Sequence, residues 1–167
     1  MVVSDASPLI LLAKADLLEA FLGEFPERVL IPPQVQIECC ENKDTFDAQL
    51  IARLIKERHI AVRKLKNPAI AAQIRKEFNL GKGEAEAIAL AQTTMAKLIL
   101  IEDRNGMNAC KILRLPFTGV PGILVRMHEK GLVSTEEAVR KLDLVERYGR
   151  YKADIIADVR RRLETMK

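Results

Sequence analysis

Four acidic residues, Asp5, Glu38, Glu84 and Asp103, occupy positions from which their carboxylates could act together. Asp5 follows a β-branched pair in "MVVSDASPLI", and Asp103 follows the apolar run in "KLILIED", so each stands where a predicted strand ends. Parallel strands of one sheet present their carboxyl ends at the same edge, and ligands of open α/β sheets bind there. We therefore expect Asp5 and Asp103 to be neighbours.

The other two acids are predicted to lie on helices. Glu38 comes three residues after Val35 in "PQVQIECCEN", which places it beside the apolar face of a short helix. Glu84 lies in the first turn of the Ala-rich helix "GEAEAIALAQTTMA", with its side chain near the N-terminal rim. Helices that follow strands begin at the carboxyl edge of the sheet. Whether the helix of Glu84 begins there is left open, because the segment before it is also predicted to be helical.

A cluster of these four carboxylates would need a cation, because like charges at close range do not all stay ionised. Hard oxygen ligands suit Mg²⁺ or Mn²⁺, which keep several waters and accept a substrate phosphate. An ion held in this way can activate a water and offset the charge that develops during hydrolysis of a phosphodiester. The expected chemistry therefore needs neither histidine nor cysteine.

Each acid also has a simpler interpretation when it is taken alone. Asp5 and Asp103 fit ordinary strand-end loops, because aspartate is common in turns. Glu84 fits a favourable charge at a helix N-terminus, and Glu38 fits a partly exposed helical residue. The sequence offers 23 acidic residues, so the hypothesis depends on the four converging in the fold.

The elements that must position these acids alternate between short strands and amphipathic helices along a chain of 167 residues. "PLILLAKADLLEAFL" is predicted to be one helix, with Ser7 as its N-cap and Pro8 at its first position. "MNACKILRL" is predicted to be another, and Ser134 with Glu137 has the spacing of a capping box. Strands separated by helices predict an α/β fold of one domain, with a central parallel sheet and helices on both faces.

Composition sets limits on partners and compartment. The formal net charge is +4, and only 4% of the residues are aromatic. A mildly basic chain fits a nucleic-acid partner, and the scarcity of aromatic side chains indicates that phosphates rather than stacked bases would be held. Three cysteines without a C-x-x-C pair indicate a reducing, cytoplasmic location. We expect no membrane association, because no segment resembles a signal peptide or a membrane span.

A basic stretch, "RLIKERHIAVRKLK" at residues 53–66, is one candidate for contact with an RNA backbone. Its cations are Arg53, Lys56, Arg58, Arg63, Lys64 and Lys66. Acidic residues are interspersed in the same region, so the stretch also fits a solvated helix face followed by a loop.

The sequence resembles the PIN domain nucleases, and more narrowly their prokaryotic, toxin-like branch. The matching segments are "VVSDASPLILLAK", "VLIPPQVQIE", "GKGEAEAIALA" and "LILIEDRNGMNACKILRLPFTGVPGILVRMHEKGLV". They occur in the family's order and span residues 2–133. The resemblance implies a three-layer α/β/α fold with a PIN-like domain at residues 1–133. The C-terminal extension at 134–167 lies outside these matches, and the Leu, Val and Ile spacing of its two amphipathic helices predicts that they pack on the same domain. A dimer interface or an antitoxin groove is left open as an alternative.

The resemblance further implies a Mg²⁺- or Mn²⁺-dependent ribonuclease whose metal ligands and catalytic acids are Asp5, Glu38, Glu84 and Asp103. Ser7 matches a hydroxyl residue that supports this site. Asn105 stands where some relatives have a further acid, which would make it a neutral ligand or a supporting group. Glu86 and Glu102 lie close enough in sequence to replace a neighbouring ligand, and the number of metal ions is left open.

Proteins of this size in the family resemble toxins of toxin–antitoxin pairs, and they commonly form homodimers. The implied partners are therefore RNA, a small antitoxin protein and a second copy of the chain. Two alternatives stay open from the residues themselves. One is a catalytically weak RNA- or protein-binding module with the same fold, and the other is a phosphotransferase that uses Asp5 as a covalent nucleophile.

Overall fold

A five-stranded, all-parallel sheet forms the centre of the molecule. The structure, a computed structural model, describes residues 1–24 and 27–166. The strands are β1 Val2–Ser4, β2 Val29–Ile31, β3 Ile60–Val62, β4 Leu98–Leu100 and β5 Phe117–Thr118. Their order across the sheet is β3-β2-β1-β4-β5. The predicted α/β class, a three-layer α/β/α fold around a parallel sheet, is confirmed.

Ten helices within the described residues flank the sheet. They are α1 Ala6–Lys14, α2 Leu18–Glu24, α3 Pro33–Cys40, α4 Phe46–Lys56, α5 Pro68–Phe78, α6 Lys82–Thr93, α7 Arg104–Ile112, α8 Val120–Glu129, α9 Thr135–Tyr148 and α10 Ala153–Thr165. Their apolar faces and the strands share one hydrophobic core, which explains why a chain of this length folds as a unit.

The strand order reverses between β1 and β4, and the candidate site lies at the carboxyl ends of these two strands. Ser4 is opposite Leu100 in the register, and the Asp5 backbone N–H donates to the Leu100 carbonyl over 3.0 Å. The chain leaves the sheet in opposite directions on either side of such a switch point, which opens a crevice. Asp5 and Asp103 therefore follow adjacent strands, as the sequence predicts.

Three helix boundaries differ from those predicted. The helix predicted from Pro8 onward is two helices, α1 and α2, separated at Asp16, whose φ of 54° is left-handed and ends α1. The N-cap of α1 is Asp5 and not Ser7. Pro8 lies within the first turn, where proline is tolerated because the backbone N–H that it lacks would have no intrahelical acceptor there.

Two further helices begin earlier than expected. Helix α6 begins at Lys82, before the predicted start after Gly83. Helix α7 begins at Arg104 instead of Met107, because Asp103 supplies an N-cap: its Oδ2 accepts from the Gly106 backbone N–H over 2.9 Å. The second correction places Asp103 at the N-cap of α7, whereas Glu84 stays in the first turn of α6 as predicted.

The C-terminal helices α9 and α10 pack on the same core. Their buried positions are Ala138, Leu142, Val145, Ile156, Val159 and Leu163. Ser134 caps α9 as predicted, because its Oγ accepts from the Glu137 backbone N–H over 3.1 Å. Lys167, the last residue of the predicted extension, lies outside the described residues. Among the helices that are described, none has the length and apolarity needed to cross a membrane.

Candidate active site

Asp5 is the buried centre of the candidate site. Only 2% of its surface is exposed, and its Oδ1 is buried without a hydrogen-bond partner in the described part of the chain. Burial raises the pKa of Asp5 to about 7. A hydrogen bond with the Ala6 backbone opposes this shift, whereas the charges of Glu84, Glu38 and Asp103 add to it. A carboxylate oxygen in this situation lacks the cation or donor that its charge requires.

The other three predicted acids lie within electrostatic range of Asp5. The charges of all three raise the pKa of its carboxyl group. Burial also raises the pKa of Glu84, and the charges of Asp103 and Glu38 raise it further, against a hydrogen bond from Gly81. The fold thus places Glu38, Glu84 and Asp103 within electrostatic range of Asp5.

Each of the three surrounding carboxylates already has a hydrogen bond of its own. Glu84 Oε2 accepts from the Gly81 backbone N–H over 3.0 Å, so it closes the first turn of its own helix. Asp103 caps α7, and Glu38 Oε1 accepts from Gln34 Nε2 over 3.2 Å. Among the side chains that the structure describes, only that of Asp5 has a buried oxygen without a hydrogen-bond partner.

Gly83 determines how closely Glu38 approaches α6. A Cβ atom at this position would lie 2.5 Å from Glu38 Oε2, so the missing side chain leaves the space that this carboxylate occupies. The sequence analysis did not identify Gly83 as part of the site. The available signal is a glycine in the first turn of a helix, where its flexibility is unfavourable unless another group must come close.

The donor set suits a hard divalent cation, because it consists of carboxylate oxygens around one buried, unpaired oxygen. The side chains are not preassembled, however: no three His, Cys, Asp or Glu side chains of the described residues are close enough to hold one ion. Glu84, Asp103 and Glu38 each accept a hydrogen bond from another group instead.

Two nearby acids serve other contacts. Glu102 Oε1 accepts from the Val120 backbone N–H over 2.6 Å, and its Oε2 accepts from the Tyr151 hydroxyl. Burial raises the pKa of Glu102, and these two hydrogen bonds oppose that shift. Glu86 Oε2 lies 3.4 Å from the Gln34 backbone N–H at the start of α3. Neither acid is among the groups that shift the pKa of Asp5.

Within the described residues, neither of the two predicted supporting residues forms a hydrogen bond with the four acids. Ser7 is exposed on the first turn of α1, and its side chain has no hydrogen bond within the described ranges. Asn105 is exposed, and its Nδ2 lies 3.4 Å from the carbonyl oxygen of Asn79. This contact joins the first turn of α7 to the end of α5, so Asn105 orients a helix here instead of a carboxylate.

A family model described as a PIN domain matches residues 1–165. The match includes all four acids and continues through α9 to the end of α10. Neither a curated protein nor a solved structure matches the chain.

Proposed function

The chain belongs to the PIN domain family, and from this membership we propose that it is a divalent-metal-dependent endoribonuclease that hydrolyses RNA phosphodiester bonds. Membership itself gives the chain a nuclease-type fold. The observation that carries the finer proposal is the buried, unpaired Oδ1 of Asp5 at the β1–β4 switch point, within electrostatic range of Glu38, Glu84 and Asp103.

In this proposal the four acids Asp5, Glu38, Glu84 and Asp103 would hold Mg²⁺ or Mn²⁺. Such an ion, when bound, activates a water and offsets negative charge on the phosphodiester under attack. Asp5 holds a proton more readily than an ordinary aspartate and releases it when a positive charge is close, because that charge favours the carboxylate. Its burial also keeps competing bulk water away from the oxygen that would contact the cation.

The phosphotransferase alternative has less support. It requires Asp5 to attack phosphorus and a cationic side chain beside it to offset the transferred charge. The groups that shift the pKa of Asp5 include three carboxylates and no lysine or arginine. Its 2% exposure also leaves little room for direct attack on a phosphate.

Cleavage of a mixed pool of single-stranded and structured RNAs tests the proposal. Parallel reactions contain Mg²⁺, Mn²⁺ or EDTA, with wild type, Asp5→Asn and Asp103→Asn. Asp47→Asn is the matched control, because Asp47 is also a buried aspartate, 7% exposed, in the first turn of a helix. We expect metal-dependent cutting by wild type and by Asp47→Asn, and a loss of at least about 100-fold in both site variants.

Two results would count against the proposal. If wild type and the site variants cut alike in EDTA, the cutting comes from another source. If wild type binds RNA but cuts none with either metal, the binding-module alternative is favoured. A phosphorylated Asp5 trapped from a phosphate donor would instead favour the phosphotransferase.

Three finer features are also proposed. A toxin role opposed by a small antitoxin and a homodimer follow from the family resemblance, and a cytoplasmic location follows from three cysteines without a C-x-x-C pair. Co-purification with the product of a small neighbouring reading frame tests the first, and light scattering by the purified protein tests the second. Fractionation of cells that express the chain tests the third. A strictly monomeric protein without such a gene neighbour would remove the first two.

A further inference from the structure

Glu102 is a half-buried carboxylate that the proposed function does not use, although it directly precedes Asp103 in the chain. Its Oε1 accepts from the Val120 backbone N–H over 2.6 Å, and its Oε2 accepts from the Tyr151 hydroxyl. Each oxygen of Glu102 therefore has a donor, and the two donors come from different parts of the chain. A carboxylate held in this way fixes the position of the backbone that carries it.

The Val120 N–H needs an acceptor because helix α8 has no cap from its own N-terminal residue. The N-cap of α8 is Gly119, which has no side chain that could accept from the first turn. A Cβ atom at Gly119 would lie 3.1 Å from Glu102 Oε2 and 3.2 Å from its Oε1, so this glycine also leaves room for the carboxylate. Glu102 thus caps α8 from another segment, with its negative charge at the positive end of the helix.

Tyr151 supplies the second donor from the short linker 149–152 between α9 and α10. Its ring is half-buried and packs against the hydrophobic core. The helices on either side of the linker are anchored in the same core, for example by the fully buried Leu142 of α9 and Leu163 of α10. The Tyr151 hydroxyl therefore reaches Glu102 from a part of the molecule that the core holds in place.

The residues on either side of Glu102 contact a different helix, α7. A Cβ atom at Gly106 would lie 2.3 Å from Ile101 Cδ1, so the Ile101 side chain occupies the space beside this glycine. Asp103 Oδ2 accepts from the Gly106 backbone N–H over 2.9 Å. Successive side chains of an extended segment alternate in direction, which explains why Ile101 and Asp103 contact α7 while Glu102 contacts α8 and the linker. The segment that carries Asp103 is therefore held from two sides.

We propose that Glu102 and Tyr151 are positioning residues for Asp103: their hydrogen bond, together with that of Glu102 to α8, fixes the backbone from which Asp103 would hold the cation. This inference rests on the proposed function, because the cation belongs to it. Neither residue contacts the cation or the RNA in this proposal. Groups that orient a metal ligand without touching the ion change the metal affinity when they are removed.

Binding of Mn²⁺ to the full chain, measured without RNA from the electron paramagnetic resonance signal of the free ion, tests this inference. The variants are Tyr151→Phe, Glu102→Gln, Glu102→Ala and the double variant Tyr151→Phe/Glu102→Ala. Tyr148→Phe is the matched control, because Tyr148 is 49% exposed at the end of α9. All proteins are compared at one temperature well below their melting transitions, so that a loss of stability alone leaves the affinity unchanged.

The expected result is a graded loss of Mn²⁺ affinity. Tyr151→Phe should weaken binding by about 3–10-fold and Glu102→Ala by about tenfold or more, because removal of such support typically costs about 10–100-fold. Glu102→Gln should bind nearly as tightly as wild type, because its amide keeps an acceptor for the Val120 N–H and a polar group for Tyr151. The double variant should match Glu102→Ala, because Tyr151 acts only through Glu102. Tyr148→Phe should match wild type.

Amide hydrogen exchange in EDTA gives a second readout that needs no metal. The Gly106 N–H donates to Asp103 and should exchange faster in Tyr151→Phe than in wild type. The Glu137 N–H, which donates to Ser134 in an equivalent cap of α9, should exchange at the same rate in both proteins. If the Tyr151 hydroxyl only stabilised the fold, the ratio of these two exchange rates would not change.

The inference and the proposed function can fail separately. When wild type binds Mn²⁺, an unchanged affinity in Tyr151→Phe overturns the inference. A loss in Glu102→Gln as large as that in Glu102→Ala also overturns it, because Glu102 would then be a direct ligand. If wild type binds no Mn²⁺, the metal-dependent nuclease is removed, and the exchange of the Gly106 N–H alone decides whether Tyr151 positions Asp103.

Discussion

Asp5 shows how a functional residue can oppose the stability of its own fold. Its side chain lies where β1 ends and α1 begins, and it is almost completely buried, which disfavours its charged form. A purely structural residue at this position would be neutral or hydrogen-bonded. The unpaired Oδ1 is therefore the observation on which the proposed cation site rests.

Asp5→Asn should stabilise the metal-free protein, and this gain should depend on pH. The folded-state pKa of Asp5 is raised from 3.8 to about 7. Wild type therefore keeps the stability contributed by the protonated group below pH 3.8 and loses it as the pH rises to about 7. The variant has no such group, so it does not lose this stability. The difference in the free energy of unfolding between variant and wild type should therefore grow from pH 3.8 to about 7 and stay constant at higher pH, at no more than about 4 kcal/mol.

Thermal melting in EDTA at pH 4, 6 and 8 measures this difference. Asp47→Asn serves as the control for amide substitution at a buried helix start. With Mg²⁺ or Mn²⁺ added at pH 8, wild type should gain melting temperature and Asp5→Asn should not, because a ligand stabilises only the form that binds it. If the melting temperatures of wild type and Asp5→Asn differ by the same amount at all three pH values, the raised pKa of Asp5 is contradicted.

At the scale of elements, Gly83 couples α6 to α3. Gly83→Ala should favour the helix by about 1 kcal/mol, while its Cβ displaces the Glu38 carboxylate, which lies within 2.5–2.8 Å of that position. We expect a fold that is at least as stable as wild type, together with RNA cleavage that is reduced about tenfold or more. Glu38 can move because it is the far end of a flexible side chain.

Gly23→Ala is the matched control, because a Cβ at this helical position meets nothing within 4 Å. It should bring a similar gain in melting temperature and leave cleavage unchanged. If Gly83→Ala cuts RNA as fast as wild type does, the position of Glu38 is unimportant for activity.

The linker between α9 and α10 holds the loop that carries Asp103. The Tyr151 hydroxyl donates a hydrogen bond to Glu102, which directly precedes Asp103 in the chain. Gly149 leaves room for the Tyr151 ring, because a Cβ atom at residue 149 would lie 2.6 Å from that ring. Tyr151→Phe removes one of the two donors to a buried carboxylate, which should cost about 1–3 kcal/mol of stability.

The chain supplies a matched control in its other tyrosine, Tyr148, which is 49% exposed. Tyr148→Phe should change the free energy of unfolding by less than about 0.5 kcal/mol. Urea unfolding compares the two variants directly. Equal stabilities would mean that the Tyr151 hydroxyl contributes nothing to holding Glu102.

The sequence predicted the elements better than their ends, for a physical reason. Apolar periodicity located β4 and most helices, because it reflects burial along one segment. The break at Asp16 and the early start of α7 depend on backbone conformation and on a cap from Asp103, which periodicity does not record. Likewise, the side-chain pattern identified the acids, but the space at Gly83 appears only when α3 and α6 are in contact.

At the scale of the whole molecule, net charge shows that cations are in excess but not which side chains share a face. The stretch 53–66 is contiguous in sequence and therefore easy to see. The exposed cations Arg75, Lys82 and Arg104 instead come from α5, α6 and α7, which the fold brings together. A surface of this kind has no sequence signature, because its members gain a common direction only after folding.

The C-terminal helices belong to the core, so a chain that ends at Val133 should not fold stably. Burial of each Leu, Ile or Val contributes about 1.5–3 kcal/mol, and α9 and α10 bury five such residues. Their combined loss is comparable with the 5–15 kcal/mol that stabilises a typical domain. Circular dichroism and thermal melting of the 1–133 chain should therefore show no cooperative transition.

A pair of adjacent substitutions tests the same argument without truncation. Ile156 is 3% exposed and Ile155 is 44% exposed on the same turn of α10. Ile156→Ala should destabilise the full chain by about 2–5 kcal/mol, because it leaves a cavity in the shared core. Ile155→Ala should change stability by less than about 0.5 kcal/mol. A 1–133 chain that melts cooperatively, together with equal effects of these two substitutions, would instead make the C-terminal helices an independent appendage that the nuclease fold does not need.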